Sequence, residues 1–359
     1  MAQTPYRVGA APTVHEDGTL RVQGVTSPVG YKIRHGVPLG PDKVIPVVFV
    51  PGIMGSNLVT VPDKPGAKPE IAWQPPNGKV DGLKEVNKWK GRSASVRQNL
   101  LNPDATALDE NGPILAGSKE EQALFRQRGW GSVHHDSYGD FLYLLHNDLN
   151  QTLELGSFSK WRPCSHWQAV IEADRKAWDA QDLPALTLEE LTKFADHQFP
   201  VYAAGYNWLQ CNDTSAQHIA RKIDGWMASW KKAGLQCDKV ILVSHSMGGL
   251  VSRAYAKRHP DKVLGVLHGV LPAVGTPAAY RRMACGAEQD APGTTALPIG
   301  DSSQPSPVLN DFKNALSAGM VSWIIGRTPA ETQPVLAASP GALELLPCHP
   351  PASEYLSPR

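Results

Sequence analysis

The chain has 359 residues, enough for one large domain or two modest ones with a sizeable core. Its 35 Lys and Arg against 34 Asp and Glu leave a net charge of +1, which excludes a nucleic-acid or other polyanion binder built on bulk charge. Hydrophobic residues at 42% beside charged residues at 19% exclude wholesale disorder. Residues 1–43 read as an N-terminal extension rich in Gly, Pro and Thr, with short strands at Thr19–Val25 and Gly30–His35 joined through Ser27-Pro28. Val44–Val50 (VIPVVFV) is a β-branched and aromatic run, the pattern of a buried strand in a parallel sheet, and Pro51-Gly52 stops it. Residues 61–132, punctuated by Pro62, Pro65, Pro69, Pro75 and Pro76, read as an irregular insertion forming a lid or cap.

The spacing then predicts a helix over Tyr138–Leu149, a buried strand over Pro200–Tyr206 and an amphipathic helix over Thr214–Ala233. That helix carries Ala216, Ile219, Ala220, Ile223, Trp226, Met227 and Trp230 on one stripe. Strands at Lys239–Val243 and Val263–Val270 flank a helix over Met247–His259, which Pro260 ends. Alternating strand and helix is the pattern of an α/β protein with a mostly parallel sheet. Residues 286–308, rich in Gly, Pro and Ser, read as a mobile loop, and Leu309–Ile325 as a helix. The whole is read as a single domain.

No apolar run reaches the roughly 18 residues of a membrane-spanning helix. The start, MAQTPYRVGAAPTVHEDG, lacks the basic and apolar segments of a Sec signal, so synthesis in the cytoplasm is the expectation. The five cysteines, Cys164, Cys211, Cys237, Cys285 and Cys348, are scattered without a CxxC pair, which argues against a disulfide scaffold or a Cys-ligated zinc. No cofactor and no metal site is expected; His134-His135-Asp136 is the nearest thing to a ligand cluster, and adjacent residues diverge on a helix or strand. Lys84–Arg97 reads as a solvated basic face. Trp161, Trp167, Trp178, Trp226 and Trp230 read as core, and Trp73, Trp89 and Trp130 as an apolar lid.

The most informative segment is VILVSHSMGGLVSRAYA, Val240–Ala256. A buried strand enters a tight turn, Ser244-His245-Ser246-Met247-Gly248, and leaves as a helix. This is the nucleophile-elbow arrangement, with Ser244 in place of the first Gly. Small neighbours are needed because strand and helix must approach closely around a strained serine. The turn would aim Ser246 out of the sheet and set the Met247 N–H at a helix N-terminus, where it can stabilise an oxyanion. A Gly-rich turn of a cofactor-binding sheet is the plainer reading. Upstream, VVFVPGIMGSNL (Val47–Leu58) ends a strand in a Gly-containing loop, the place from which a second oxyanion donor comes in such hydrolases.

These pieces resemble the α/β-hydrolase superfamily, within it the branch of lecithin–cholesterol acyltransferase and its bacterial lipase-like relatives. The resemblance rests on VPGIMGS (Val50–Ser56), WGSVHHDSYGDFL (Trp130–Leu142), GYNW (Gly205–Trp208), SHSMGG (Ser244–Gly249) and SPGALELLP (Ser339–Pro347), in that order. It implies the α/β-hydrolase fold, Ser246 as nucleophile, and the amides of Met54 and Met247 as the oxyanion hole. Asn207 stands where relatives carry Asp. The family's acid and histidine lie beyond the S-P-G-A-L stretch, yet only CHPPASEYLSPR follows Pro347.

In this fold the triad runs Ser, acid, His. Downstream histidines are His259, at a helix end; His268, inside a strand; and His349, which with Asp301 or Asp311 is the remaining pair in plausible order. His245 reads as a packing residue of the elbow. The expectation is therefore a C-terminally truncated or frameshifted form of a longer enzyme, weakly active alone. The function read is a serine hydrolase of carboxylic, lipid acyl, esters through an acyl-enzyme on Ser246. The alternative is a catalytically incomplete binding or regulatory module of the same fold. Expected partners are a lipid or other ester and a membrane surface. Export through a signal-independent secretion system, as a membrane-directed toxin, is expected by analogy only.

Overall fold

The computed structural model describes residues 7–9, 13–14, 20–21, 34–36, 41–62, 64, 66–75, 89, 91–115, 117–155, 161–178, 182–286 and 328–348. In chain order the elements that frame the site are β1 (Val47–Val50), β2 (Leu58–Thr60), β3 (Ile71–Trp73), α1 (Ala94–Leu100), β4 (Thr106–Leu108), α2 (Lys119–Gln127), α3 (His135–Asn150), β5 (Val201–Ala203), α4 (Asn212–Lys232), β6 (Val240–His245), α5 (Gly248–Arg258), β7 (Val263–Gly269), α6 (Pro277–Cys285), α7 (Pro329–Ala337) and α8 (Pro340–Leu343). Together they make a mixed α/β fold. No helix among the described residues is long and apolar enough to cross a membrane.

The chain groups into two compact units. The first comprises Met1–Val47, Leu144–Val201 and Lys222–Ile241. Its pairings are short: Lys43–Val44 beside His197–Gln198 in parallel, and Leu153–Leu155 against Trp161–Pro163 in antiparallel. In the N-terminal extension Arg7–Gly9 pairs with Arg34–Gly36 in parallel, and Thr13–Val14 with Leu20–Arg21 in antiparallel. Pro46 interrupts the run foreseen from residue 44, because it has no N–H to give a ladder. Trp161 is 63% exposed on its edge strand, so it is not core.

The second unit comprises Val48–Tyr143, Tyr202–Arg221 and Leu242–Arg359. It holds most of a four-stranded sheet of order β5-β1-β6-β7. Neighbouring strands advance together, as parallel strands do. Val47 N–H donates to Pro200 O and Ala204 N–H to Phe49 O; farther along, Ser244 Oγ donates to Leu267 O and Ser246 N–H to Gly269 O. All four residues of β1 are buried, as a continuous β-branched run requires in a parallel sheet. The stripe on α4 is buried at Ala216, Ile219, Ala220, Ile223, Met227 and Trp230, while Trp226 is half-buried.

Residues 61–132 are more regular than their prolines suggest. They contribute β3 and β4, which pair with β2 in an antiparallel sheet of order β3-β2-β4, together with α1 and α2. Ser118 and Glu121 form a reciprocal capping box that starts α2. Trp73, Trp89 and Trp130 are not a lid: each is at most 3% exposed. Trp73 meets Trp208 edge-on at 5.3 Å, and Trp130 stacks on Phe125 at 4.0 Å, geometries in which ring burial outweighs any use at the surface. Residues 287–308 and the helix foreseen at Leu309–Ile325 lie outside the described residues.

Candidate active site

β6 runs into Ser246 and α5 departs at Gly248, so the elbow stands where its sequence placed it. Ser246 has φ +51, in the left-handed region that costs an L-residue of this type on the order of 1–2 kcal/mol. The turn is held by Ser246 N–H donating to Gly269 O (2.8 Å) and Gly249 N–H donating to Ser246 O (2.9 Å). A Cβ on Gly248 would strike the carbonyls of Val50 and Pro51, so glycine there lets α5 start against the end of β1. Ser246 is half-buried and Met247 fully buried.

The loop after β1 is tied at nearly every polar atom. Tyr206 Oη donates to Pro51 O (2.8 Å), and Tyr206 N–H to Ser56 Oγ (3.1 Å). Gly52 N–H donates to Tyr138 Oη (3.2 Å), and Gly55 N–H to Gly52 O (3.0 Å). Trp73 Nε1–H donates to Met54 O (2.8 Å), and His134 N–H to Gly55 O (2.9 Å). Met54 itself sits at φ +64. With its carbonyls held inward, the loop leaves the Met54 N–H without a partner among the described residues, and the Met247 N–H likewise. Fixed, unpaired amides near a serine are the type of group by which developing negative charge is stabilised.

Gly52 lies against the serine itself: a Cβ there would be 2.9 Å from His245 Nδ1 and 3.1 Å from Ser246 Cβ. Gly52→Val is therefore expected to displace the loop and lower turnover on the order of a hundred- to a thousandfold, the effect of losing one oxyanion donor. Little stability should be lost, because His245 is exposed and can give way. Ester hydrolysis beside a urea melt checks this; unchanged turnover would mean the loop is not the oxyanion loop.

The remaining histidines sit elsewhere. His268, half-buried in β7, brings Nδ1 to 2.7 Å from Ser244 Oγ and braces the elbow from the neighbouring strand. Burial, then Arg253, lowers its pKa. His259 caps the end of α5 with its ring 4.9 Å from Tyr255. His134 is buried, with Nδ1 2.7 Å from Ser137 Oγ in the first turn of α3. Among the described residues no histidine or carboxylate hydrogen-bonds to Ser246 Oγ, and His349, Asp301 and Asp311 lie outside them.

Asn207 forms no ion pair. Its amide donates to Thr106 O (3.1 Å), Thr106 Oγ1 (3.0 Å) and Pro103 O (3.2 Å), while its Oδ1 accepts from Leu209 N–H (3.2 Å). An aspartate could not donate to these acceptors, so the neutral residue fits its surroundings. The S-P-G-A-L stretch makes α8, where Ser339 Oγ donates to Leu209 O (3.0 Å) and Glu344 accepts from Asn212 N–H (2.8 Å). Sequence reasoning missed Tyr138, Trp73 and Tyr206 as the side chains that shape the loop. The only available signal was that Tyr138 and Tyr206 stand inside two of the matching motifs.

Fold and site together define a mixed α/β chain that presents a strained serine at a strand–helix elbow, with the Met247 amide next to it and the Gly52–Met54 loop close by. No family model matches the chain, and no curated protein matches it. Among solved structures it is similar to a chain of the crystal structure of the Tle4–Tli4 complex, with 32% identity and a TM-score of 0.66. The match covers 84% of this chain and 54% of that one, so the chain spans about half the length of that relative.

Proposed function

We propose that this chain is a serine hydrolase of carboxylic esters, with lipid acyl esters as its substrate class. We place it in the α/β-hydrolase superfamily, in the lecithin–cholesterol acyltransferase-like, bacterial lipase-like branch. The observation that carries the reading is the backbone of Ser246, at φ +51 between a parallel strand and a helix N-terminus. The motif resemblance and the likeness to the Tle4–Tli4 structure support it. Because that relative was solved as a complex, a protein partner is part of the same proposal.

In this reading Ser246 Oγ attacks the ester carbonyl carbon as its proton passes to a base. The carbonyl oxygen takes the negative charge and is met by the Met54 and Met247 N–H groups. The tetrahedral species collapses, the alcohol leaves with a proton, and an acyl-serine remains. Water or a second alcohol then adds at the same carbon and releases the acid or a new ester. No step uses a cofactor.

A series of esters from short to long acyl chains, with and without phospholipid vesicles, tests the substrate class. Rates that rise with chain length, and fatty acid released from vesicles, are expected. Preference for short soluble esters with intact vesicles would make the protein a plain esterase. An absence of covalent labelling at Ser246 by a fluorophosphonate would favour the catalytically incomplete binding module instead.

A further inference from the structure

We propose that the Tyr138 hydroxyl is a positioning group that clamps the oxyanion loop to the elbow through His245. The proposal rests on the serine-hydrolase reading and adds a residue to it. One oxygen joins three segments distant in sequence. Tyr138 Oη, on α3, accepts the Gly52 N–H at 3.2 Å and stands 3.1 Å from Nδ1 of His245, the residue before Ser246. The ring packs 4.9 Å from Phe49 and 5.8 Å, T-shaped, from His245. Its own turn is anchored to the same loop, because His134 N–H donates to Gly55 O and Tyr138 N–H to His134 O.

The sense of the first bond follows from proton count. Gly52 can only donate, so it uses a lone pair on Tyr138 Oη. In the clamp the hydroxyl proton goes to His245 Nδ1, with the neutral imidazole carrying its proton on Nε2; this tautomer is part of the proposal. Partial desolvation of the otherwise exposed His245 ring lowers its pKa and burial raises that of Tyr138, so both groups are favoured in their neutral forms. Gly52 is two residues before Met54, whose amide is the proposed donor, and a Cβ built on it would lie 3.1 Å from Ser246 Cβ. The clamp thus sets the distance between the donor loop and the nucleophile, and small displacements at such a distance are costly to rate.

Three variants of the full chain test this: Tyr138→Phe, His245→Asn and His245→Leu. The Asn Oδ1 falls where Nδ1 stood and can still accept the phenol proton; Leu cannot. Two readouts are taken, the hydrogen-exchange rate of the Gly52 amide by NMR and the rate of Ser246 labelling by a fluorophosphonate. Tyr138→Phe is expected to speed Gly52 exchange about tenfold, the loss of a single hydrogen bond, and to slow labelling on the order of ten- to a hundredfold. His245→Leu should slow labelling comparably, and His245→Asn should recover most of that loss. Unchanged Gly52 exchange and labelling in Tyr138→Phe would overturn the clamp, as would Asn faring no better than Leu. If the parent chain is never labelled, the hydrolase reading fails on its own, and Gly52 exchange in Tyr138→Phe against His245→Leu still decides whether the clamp exists.

Discussion

Ser246→Ala is expected to reduce fluorophosphonate labelling and ester hydrolysis to background. Losing the nucleophile of an acyl-transfer site costs on the order of a millionfold where the site is complete, because the covalent route closes. Folding should be nearly unaffected. Alanine and serine pay a similar cost at φ +51, and among the described residues no hydrogen bond to Ser246 Oγ would be lost. Intact mass after probe treatment, beside a urea melt, reads both quantities. Persistent single-site labelling in the variant would place the nucleophile elsewhere.

Gly248→Val is expected to have the largest effect on stability of any single change in the elbow. The new Cβ would meet backbone carbonyls of Val50 and Pro51, which belong to the end of the central strand β1 and cannot rotate away. Either α5 retreats from the sheet or β1 shifts, a strain of roughly 1–3 kcal/mol or more by comparison with other overpacked sites. Gly225 is the internal control. It lies within α4, and a Cβ there would meet nothing within 4 Å. Gly225→Ala should therefore stabilise by roughly 0.5–1 kcal/mol, the ordinary gain of alanine over glycine in a helix. Opposite signs for two helical glycines, measured as urea midpoints, would assign the cost at Gly248 to the elbow itself. A neutral Gly248→Val would remove the argument that close approach requires a glycine there.

Much of this architecture was legible in the chain because its causes are local. Val47–Val50 is a run buried at every residue and Val240–His245 is buried at four of six, as strands of a sheet covered on both faces are, and α4 carries its stripe at steps of three and four. The elbow is legible for the same reason. A strand, a tight turn with Gly248 and Gly249, and a helix are constraints between adjacent residues, and they suffice to put Ser246 at its strained φ.

What only the tertiary structure decided are contacts between residues far apart in sequence. The loop that holds Met54 takes its shape from Trp73, 19 residues from Met54; from Tyr138, 86 residues from Gly52; and from Tyr206, 155 residues from Pro51. A hydrogen bond over such a separation leaves no periodicity, so nothing in the spacing marks these aromatics as different from core. The same holds for Trp73, Trp89 and Trp130, whose proline-rich surroundings suggested a surface lid but whose rings are buried. It holds again for Asn207, where composition could show only a missing charge and the fold shows acceptors that require an amide. By itself, then, the sequence determined a strained serine at a strand–helix turn. The shape of the loop after β1, and which side chains hold it, was decided by packing between distant segments, because the free energy that fixes it is shared among residues no local rule connects.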